Sequence, residues 1–324
     1  MNILITVQNK IPSLFYGGTE RVVWYLGLEL HKLGHKVTFL APEGSYCDFT
    51  NLLIFNPNKS LNDQIPENID IVHIFDDNFI EKIDKPHIVT IEGNPFLINE
   101  LNLNSVFVSK NHANRYNSES YVYNGLDWDA YKKPSFDNKR EYFHFLGKAA
   151  WNVKNVKGAI EIIRASKKER IRILGGNRFH PNTFTFSNKV KFEGTVNDSE
   201  KSRLMNKSKG LLFPVLWHEP FGLAITESLF FGCPVFGTPY GSLQELVPKE
   251  VGFLSNSVND LKEAVLNAEN FDKKVCHEYA LDNFNSRKMT LEYFNLYEKV
   301  LNGEKLNVKN PTEKTKNYTF EWNK

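Results

Sequence analysis

Residues 210–237 read GLLFPVLWHEPFGLAITESLFFGCPVFG, and the folding of this stretch decides how the rest of the chain is read. An apolar run at 211–215 has strand length, residues 221–231 repeat apolar side chains at helical spacing, and a second apolar run opens at 235–237. Strand, loop, helix and strand in that order form a βαβ unit, in which the strands pair in parallel and the helix crosses one face. The loop carries Trp217, His218, Glu219 and Pro220, and Glu227 stands inside the helix, eight positions beyond Glu219.

The same alternation extends in both directions. Upstream in the same half, strands are expected at 143–146, 171–174 and 190–192, with a helix at 157–165. In the first half they are expected at 3–7, 36–40, 69–75, 87–91, 105–109 and 121–123. Between the first two of these lies TERVVWYLGLELHKLGH, where Val22, Leu26, Leu30 and Leu33 recur at helical spacing and Gly34 stands where a C-cap belongs. Strands alternating with helices build parallel sheets. The fold class expected is therefore α/β with two Rossmann-like domains, at 1–125 and 142–285, joined by a polar connector at 126–141 that holds Pro134. A closing amphipathic helix at 286–302, with Met289, Tyr293, Leu296, Tyr297 and Val300 on one side, can return to the first domain. The polar tail at 303–324 has little to bury.

Composition narrows the function classes. With 41% hydrophobic residues in 324, a globular protein of about two domains is expected. No run of about 20 apolar residues offers a membrane span, and MNILITVQNK lacks the basic start and long apolar core of a signal peptide. The expected address is cytoplasmic, with membrane contact at most peripheral, at the inner face. Cys47, Cys233 and Cys276 show no paired spacing, which points to reduced thiols. Residues 1–125 hold 9 Lys and Arg against 14 Asp and Glu, a balance of −5, while the remainder carries +7 of the overall +2. An acidic first half argues against nucleic acid, and a basic second half suits a phosphate-bearing ligand.

Several segments could do chemistry. A helix starting near Phe221 presents free backbone N–H groups at 221–224, and with the helix dipole these suit a diphosphate. Gly222 permits close approach there, Glu219 stands beside anything bound, and Glu227 could accept two hydrogen bonds from a vicinal diol such as a ribose. The plain alternative is that Glu219 only complements the dipole and Glu227 is solvated. Gly17 and Gly18 precede the first helix and would let a loop press close to a diphosphate, or form a simple tight turn in which Thr19 caps the helix. The apolar side chains of SLFY at 13–16 could touch an acceptor or simply pack. Asp76 and Asp77 follow a strand, but adjacent acids in an extended segment point apart, which does not suit one metal ion. HKLGH lacks the acid of a zinc motif, and neither half has G-x-G-x-x-G between its first strand and helix, which removes a dehydrogenase.

EPFGLAITE, an E-x7-E arrangement, followed by ESLFFGCPVFGTPYGSLQELV, resembles the signature of the retaining family-4 glycosyltransferases. GGTERVVWYLGLELHKLGHKVTFLAP resembles the family's Gly-Gly loop and helix, YVYNGLDWDAY its Asn-Gly-x-Asp crossover, and FLGKAAWNVKNVKGAIEII its Gly-Arg and Lys-Gly segment. The likeness runs over most of the chain. It implies the GT-B fold, with the two Rossmann-like domains facing each other across a cleft that closes about the connector. It implies that Glu227 binds the nucleotide ribose and Glu219 the donor sugar, that Phe221, Gly222 and Leu223 give backbone donors to the diphosphate, and that Lys148 and Lys157 neutralise the leaving group. Two departures stand out. Lys148 replaces an arginine, with Lys154 as a competing cation, and Glu92 stands where the family commonly has a histidine. A carboxylate can be an uncharged donor at neutral pH only if its pKa is raised.

The expectation is thus a retaining hexosyltransferase-type enzyme, independent of metals and cofactors. It would move a sugar from a UDP- or GDP-linked donor to a hydroxyl of a glycan or glycolipid acceptor, in glycan or surface-polysaccharide assembly. Lys148, Lys157, Glu92 and Glu219 would be its catalytic residues. The rival readings are a non-catalytic nucleotide-sugar-binding subunit of a transferase pair and a nucleotide-sugar epimerase on the same fold.

Overall fold

The computed structural model of the chain describes residues 1–13, 17–95, 100–315 and 318–323. Leu14, Phe15 and Tyr16 of the SLFY segment, and Lys316, Asn317 and Lys324 of the tail, lie outside the described residues. The chain divides into two units, one of Met1–Asp127 with Phe284–Lys316 and one of Trp128–Asn283 with Asn317–Lys324.

In the first unit the elements run β1 (Asn2–Val7), α1 (Gly18–Lys32), β2 (Lys36–Ala41), β3 (Asn51–Ile54), β4 (Ile71–Phe75), β5 (His87–Ile91), β6 (Ser105–Phe107) and α2 (Lys110–Arg115). The strands form one sheet in the order β3-β2-β1-β4-β5-β6, parallel throughout. β4 is buried at every position, as expected for a central parallel strand covered on both faces. α1 ends as the sequence suggests, with Gly34 in the left-handed region at φ 86°. Residues 121–123 form no strand, only a bridge from Tyr121 to Phe107.

The second unit continues with β7 (Tyr142–Leu146), α3 (Val156–Ala165), β8 (Ile171–Leu174), β9 (Val190–Gly194), α4 (Asp198–Met205), β10 (Ser208–Phe213), α5 (Leu223–Phe230) and β11 (Val235–Gly237). It closes with α6 (Leu243–Leu246), β12 (Gly252–Leu254), α7 (Val258–Leu266) and α8 (Lys273–Asn283). Its sheet order is β12-β11-β10-β7-β8-β9, also parallel. Counted from each unit's own first strand, both orders are 3-2-1-4-5-6, the doubly wound Rossmann arrangement. Ligands of such sheets bind beyond the carboxyl ends of the strands where the winding reverses. That point lies between β1 and β4 in one unit and between β7 and β10 in the other.

The last helix, α9 (Ser286–Leu301), belongs to the first unit. Its Tyr293 and Tyr297 are fully buried. The Tyr297 hydroxyl meets His73 Nδ1 at 2.7 Å, and Thr90 Oγ1 lies 2.7 Å from His73 Nε2 and 3.0 Å from the Tyr293 hydroxyl. Burial holds the His73 pKa well below its ordinary value, so this chain of bonds joins neutral groups.

Two segments differ from their sequence reading. Residues 128–141, read as a connector, pack within the second unit: Trp128 stacks on Phe230 at 4.5 Å, and the Arg140 guanidinium donates to the carbonyls of Met205, Ser208 and Phe231. The tail also finds partners. Asn307 is buried and donates to the carbonyls of Leu103 and Ser105, both at 2.9 Å, while Trp322 packs against the α3 core and donates to Glu161 at 2.9 Å. A mostly polar sequence hides such contacts because they are made by single side chains rather than by a periodic face. Among the described residues no helix is long and apolar enough to cross a membrane.

Candidate active site

In the second unit the loop from β10 to α5 lies at the switch point. Its backbone is fixed by Leu216, whose N–H donates to Val153 O at 2.7 Å, and by Ser242, whose N–H donates to Glu219 O at 2.9 Å. Gly241, with φ 65°, passes so close that a Cβ there would lie 2.3 Å from the Glu219 nitrogen. Glu219 is consequently held in a buried position, 5% exposed. Lys154 Nζ donates to its two oxygens at 2.9 and 2.6 Å, and Trp217 Nε1 donates to Oε2 at 2.7 Å. The Lys154 ammonium also lies 4.6 Å from the Trp217 ring. Lys154, read as a competitor for the diphosphate, therefore has its charge committed to Glu219.

α5 starts at Leu223 rather than near Phe221. Gly222 adopts the left-handed region, φ 88° and ψ 71°, and this turn delays the helix. Phe221 is buried, and its carbonyl accepts from Ser242 Oγ at 2.7 Å. The helix terminus is thus opened by Gly222 and begins with the N–H groups of Leu223 and Ala224. One turn in, Glu227 is only 7% exposed, which removes the reading of an ordinary solvated helix residue. Its Oε1 accepts from the Tyr131 hydroxyl at 2.7 Å and from the ammonium of Lys201, itself 6% exposed.

Lys201 and Tyr131 were not legible as site residues. Lys201 sits in the polar helix sequence DSEKSRLM and Tyr131 in the stretch read as a connector, and neither pattern signals a buried carboxylate partner. Lys148 and Lys157 are both exposed. The Lys148 ammonium lies 4.5 Å from the Trp151 ring, which meets Trp217 at 6.5 Å, so Lys148 and the Glu219 loop share an aromatic wall. Lys157 stands in the first turn of α3, whose Asn155 cap accepts from Gly158 N–H and donates to Pro214 O at 2.9 Å, tying the helix to the end of β10.

The first unit has its own pocket at its switch point, about 160 Å³, lined among others by Val7, Thr19, Glu20, Phe75, Asp77 and Glu92. Gly17 caps α1 and Gly18 begins it, and Thr19 is not the cap. A Cβ on Gly17 would lie 2.4 Å from Ser13 Oγ and 2.5 Å from Glu20 Oε2, so a larger residue here would have to displace those two side chains. Asp77 Oδ1 accepts the N–H groups of Glu92 and Gly93 at 2.6 and 3.0 Å, and Asp76 Oδ1 accepts that of Asn78 at 2.9 Å. Among the described residues no group of three or more His, Cys, Asp or Glu side chains could hold a metal ion.

Glu92 follows β5. Its Oε2 accepts from the Asn124 amide at 2.9 Å, and its Oε1 is sealed from solvent with no hydrogen-bond partner. Burial pushes its pKa up to about 8, the Asn124 bond opposing and the charges of Asp77 and Glu20 adding to the rise. The condition under which a carboxyl group can donate a hydrogen bond at neutral pH is thus met.

Comparison with known proteins bears on these features. Residues 127–280, which hold every second-unit candidate, match the sequence model of the glycosyl transferases group 1. A stretch of 118 residues, 34% of this chain, is 30% identical to a probable sucrose-phosphate synthase of Thermosipho melanesiensis, and takes in only 28% of that protein's own length. The fold is that of AviGT4, a glycosyltransferase involved in avilamycin A biosynthesis, with a TM-score of 0.77 and 19% identity over 93% of this chain and 98% of that one. It is also that of the sucrose-phosphate synthase from Thermosynechococcus elongatus, with a TM-score of 0.73 and 14% identity over 94% and 100%. These likenesses place the two Rossmann-like units in the GT-B fold class. They correct the narrower assignment to family 4: the matching model is that of group 1 as a whole. The motifs quoted for the narrower family lie largely in the strand–loop–helix framework of the second unit, and a shared framework does not single out one family.

Proposed function

We propose that the protein transfers a sugar from a nucleotide-sugar donor, UDP- or GDP-linked, to a hydroxyl group of a glycan or glycolipid acceptor. The observation that carries this reading is the environment of Glu227. A buried carboxylate, oriented through one oxygen by Lys201 and Tyr131, stands one turn inside a helix whose N-terminus is opened by left-handed Gly222 at a sheet switch point. That arrangement suits a ribose diol on the carboxylate and a diphosphate on the helix terminus. The match of this segment to glycosyl transferases group 1 supports it.

In this reading Leu223 and its neighbours donate to the diphosphate, and Lys148 and Lys157 offset the charge that develops as the sugar–phosphate bond breaks. Glu219 is a fixed negative charge beside the anomeric carbon. Both its oxygens are engaged by Lys154, and Oε2 also by Trp217, which lowers its power as a nucleophile. This favours transfer with retention on one face of the sugar, the leaving diphosphate taking the acceptor's proton, over a covalent sugar–enzyme intermediate. In the first unit's pocket, protonated Glu92 donates to a hydroxyl of the acceptor. No step in this scheme routes charge through a metal.

The test is a panel of UDP- and GDP-sugars offered to the purified chain, scored by thermal stabilisation and by donor hydrolysis or transfer. A donor that stabilises the protein and is slowly hydrolysed or transferred is expected. Binding without turnover under any acceptor would instead favour a non-catalytic subunit, and release of a different free sugar without acceptor an epimerase.

A further inference from the structure

β8 and β9 are joined by a parallel crossover without a helix: residues 175–189, GGNRFHPNTFTFSNK, are irregular. Within it Thr183 and Thr185 are buried, whereas Phe184 and Phe186 are 50% and 85% exposed, and Phe179 is 84% exposed. This is the reverse of what burial of apolar surface selects, and a slip of one residue along TFTF would exchange the two sets. The polar groups prevent that slip. Arg164 donates to Thr185 Oγ1 at 2.8 Å, which also accepts from Ser187 N–H at 3.2 Å, and Thr183 Oγ1 donates to His180 O at 3.1 Å. Asn182 Nδ2 donates to Ala150 O at 2.8 Å and Arg178 to Val190 O at 2.6 Å, fastening the loop on either side. The phenylalanines are therefore held outward. Phe184 and Phe186 meet edge to face at 4.8 Å.

The surrounding charge is predominantly basic. Residues 164–191 hold eight Lys and Arg against one Glu. Arg164, Lys167, Lys168 and Arg170 are exposed, Lys191 and Arg172 are paired with Glu193, and Glu169 is neutralised by Lys209 at 2.8 Å to both oxygens. Arg164 bonds Thr185 and Lys189 bonds Lys167 O, so this basic surface adjoins the aromatic segment directly.

We infer that the 175–189 loop docks on an anionic lipid bilayer, seating Phe179, Phe184 and Phe186 among the acyl chains and the cations of 164–191 against the headgroups. Aromatic side chains flanked by lysine and arginine are what an interfacial anchor requires. Three rings on a short loop offer less area than a stable protein interface buries, and the adjoining lysines and arginines complement anionic headgroups. The inference does not depend on the proposed transfer reaction.

The test is flotation of the full chain with vesicles of phosphatidylcholine alone and of phosphatidylcholine with one third phosphatidylglycerol. Binding is expected on the anionic vesicles, weakening with added salt and falling about tenfold or more in the triple variant F179S/F184S/F186S. K167Q and K168Q should each weaken it about fivefold, on anionic vesicles only. Thermal unfolding of the variants, expected to be unchanged because all five side chains are exposed, separates lost docking from lost folding. No binding to anionic vesicles, or equal binding of a folded triple variant, overturns the inference. So does self-association abolished by the triple variant, which would assign the rings to a second copy of the chain.

Discussion

Glu92 offers the sharpest test of the first unit's pocket, because its chemistry makes a stability prediction that needs no substrate. The carboxyl group is protonated in the fold up to a pKa of about 8, chiefly because burial disfavours its charge. In the unfolded chain it releases its proton near 4.5. Between these values the native state holds a proton that the unfolded state has lost, so stability falls as pH rises from 4.5 to 8 and levels off above. The stabilisation is fully present below the lower value and gone above the upper one. At 1.36 kcal/mol per pH unit the whole span would amount to about 5 kcal/mol. Glu92 keeps some exposure and the Asn124 amide bonds its Oε2, so about half of that is the better expectation.

The perturbation is Glu92→Gln, which keeps the shape and a donor but cannot ionise. Denaturant midpoints of both proteins measured from pH 4.5 to 9 should give curves that diverge, the wild type losing about 2–3 kcal/mol relative to the variant across the window. Other titrating groups cancel in the difference. If transfer is measured as well, wild-type turnover should decline above pH 8 while that of Glu92→Gln stays level through the same range. Parallel stability curves would show that Glu92 ionises freely in the fold, and would remove it as a neutral donor.

Much of this architecture was legible because parallel strands bury both faces. The runs at 87–91, 171–174 and 235–237 coincide with β5, β8 and β11, and α9 falls within one residue of the helix expected at 286–302. β3 and β12 escaped the reading. The first is largely exposed along NLLI and the second begins at Gly252, so neither shows the unbroken apolar run of a central strand. At the site, Glu219 and Glu227 could be named because they flank a strand–helix turn whose backbone chemistry is general. Their partners could not. Lys154 reads in the sequence as a competing cation for the diphosphate rather than as the partner of Glu219, and Lys201 lies 26 positions from Glu227, in a polar helix with no sign of a buried carboxylate partner. The raised pKa of Glu92 has no sequence signature either, since it arises from burial among Glu20, Asp77 and Asn124, which are distant in the chain.

Turnover should survive EDTA, because in the proposed scheme Lys148, Lys157 and the α5 terminus meet the leaving diphosphate; loss in chelator restored by Mg²⁺ or Mn²⁺ would return attention to Asp76 and Asp77. Lys154→Met leaves Glu219 buried without its cation and should cost about 3–5 kcal/mol in urea unfolding, most of it recovered in the double variant with Glu219→Gln. An additive double variant would mean the pair is not coupled. Glu227→Ala should weaken nucleoside-diphosphate binding by about 1.5–3 kcal/mol in calorimetry, the worth of one charge-assisted hydrogen bond. Lys201→Met should also weaken it, because a carboxylate released from Lys201 no longer presents its second oxygen in a fixed direction. If Lys201 acts only by orienting Glu227, its effect must vanish once Glu227 is alanine. A loss that persists in the double variant would mean that Lys201 reaches the phosphate itself, and unchanged affinity in folded Glu227→Ala would end the ribose assignment.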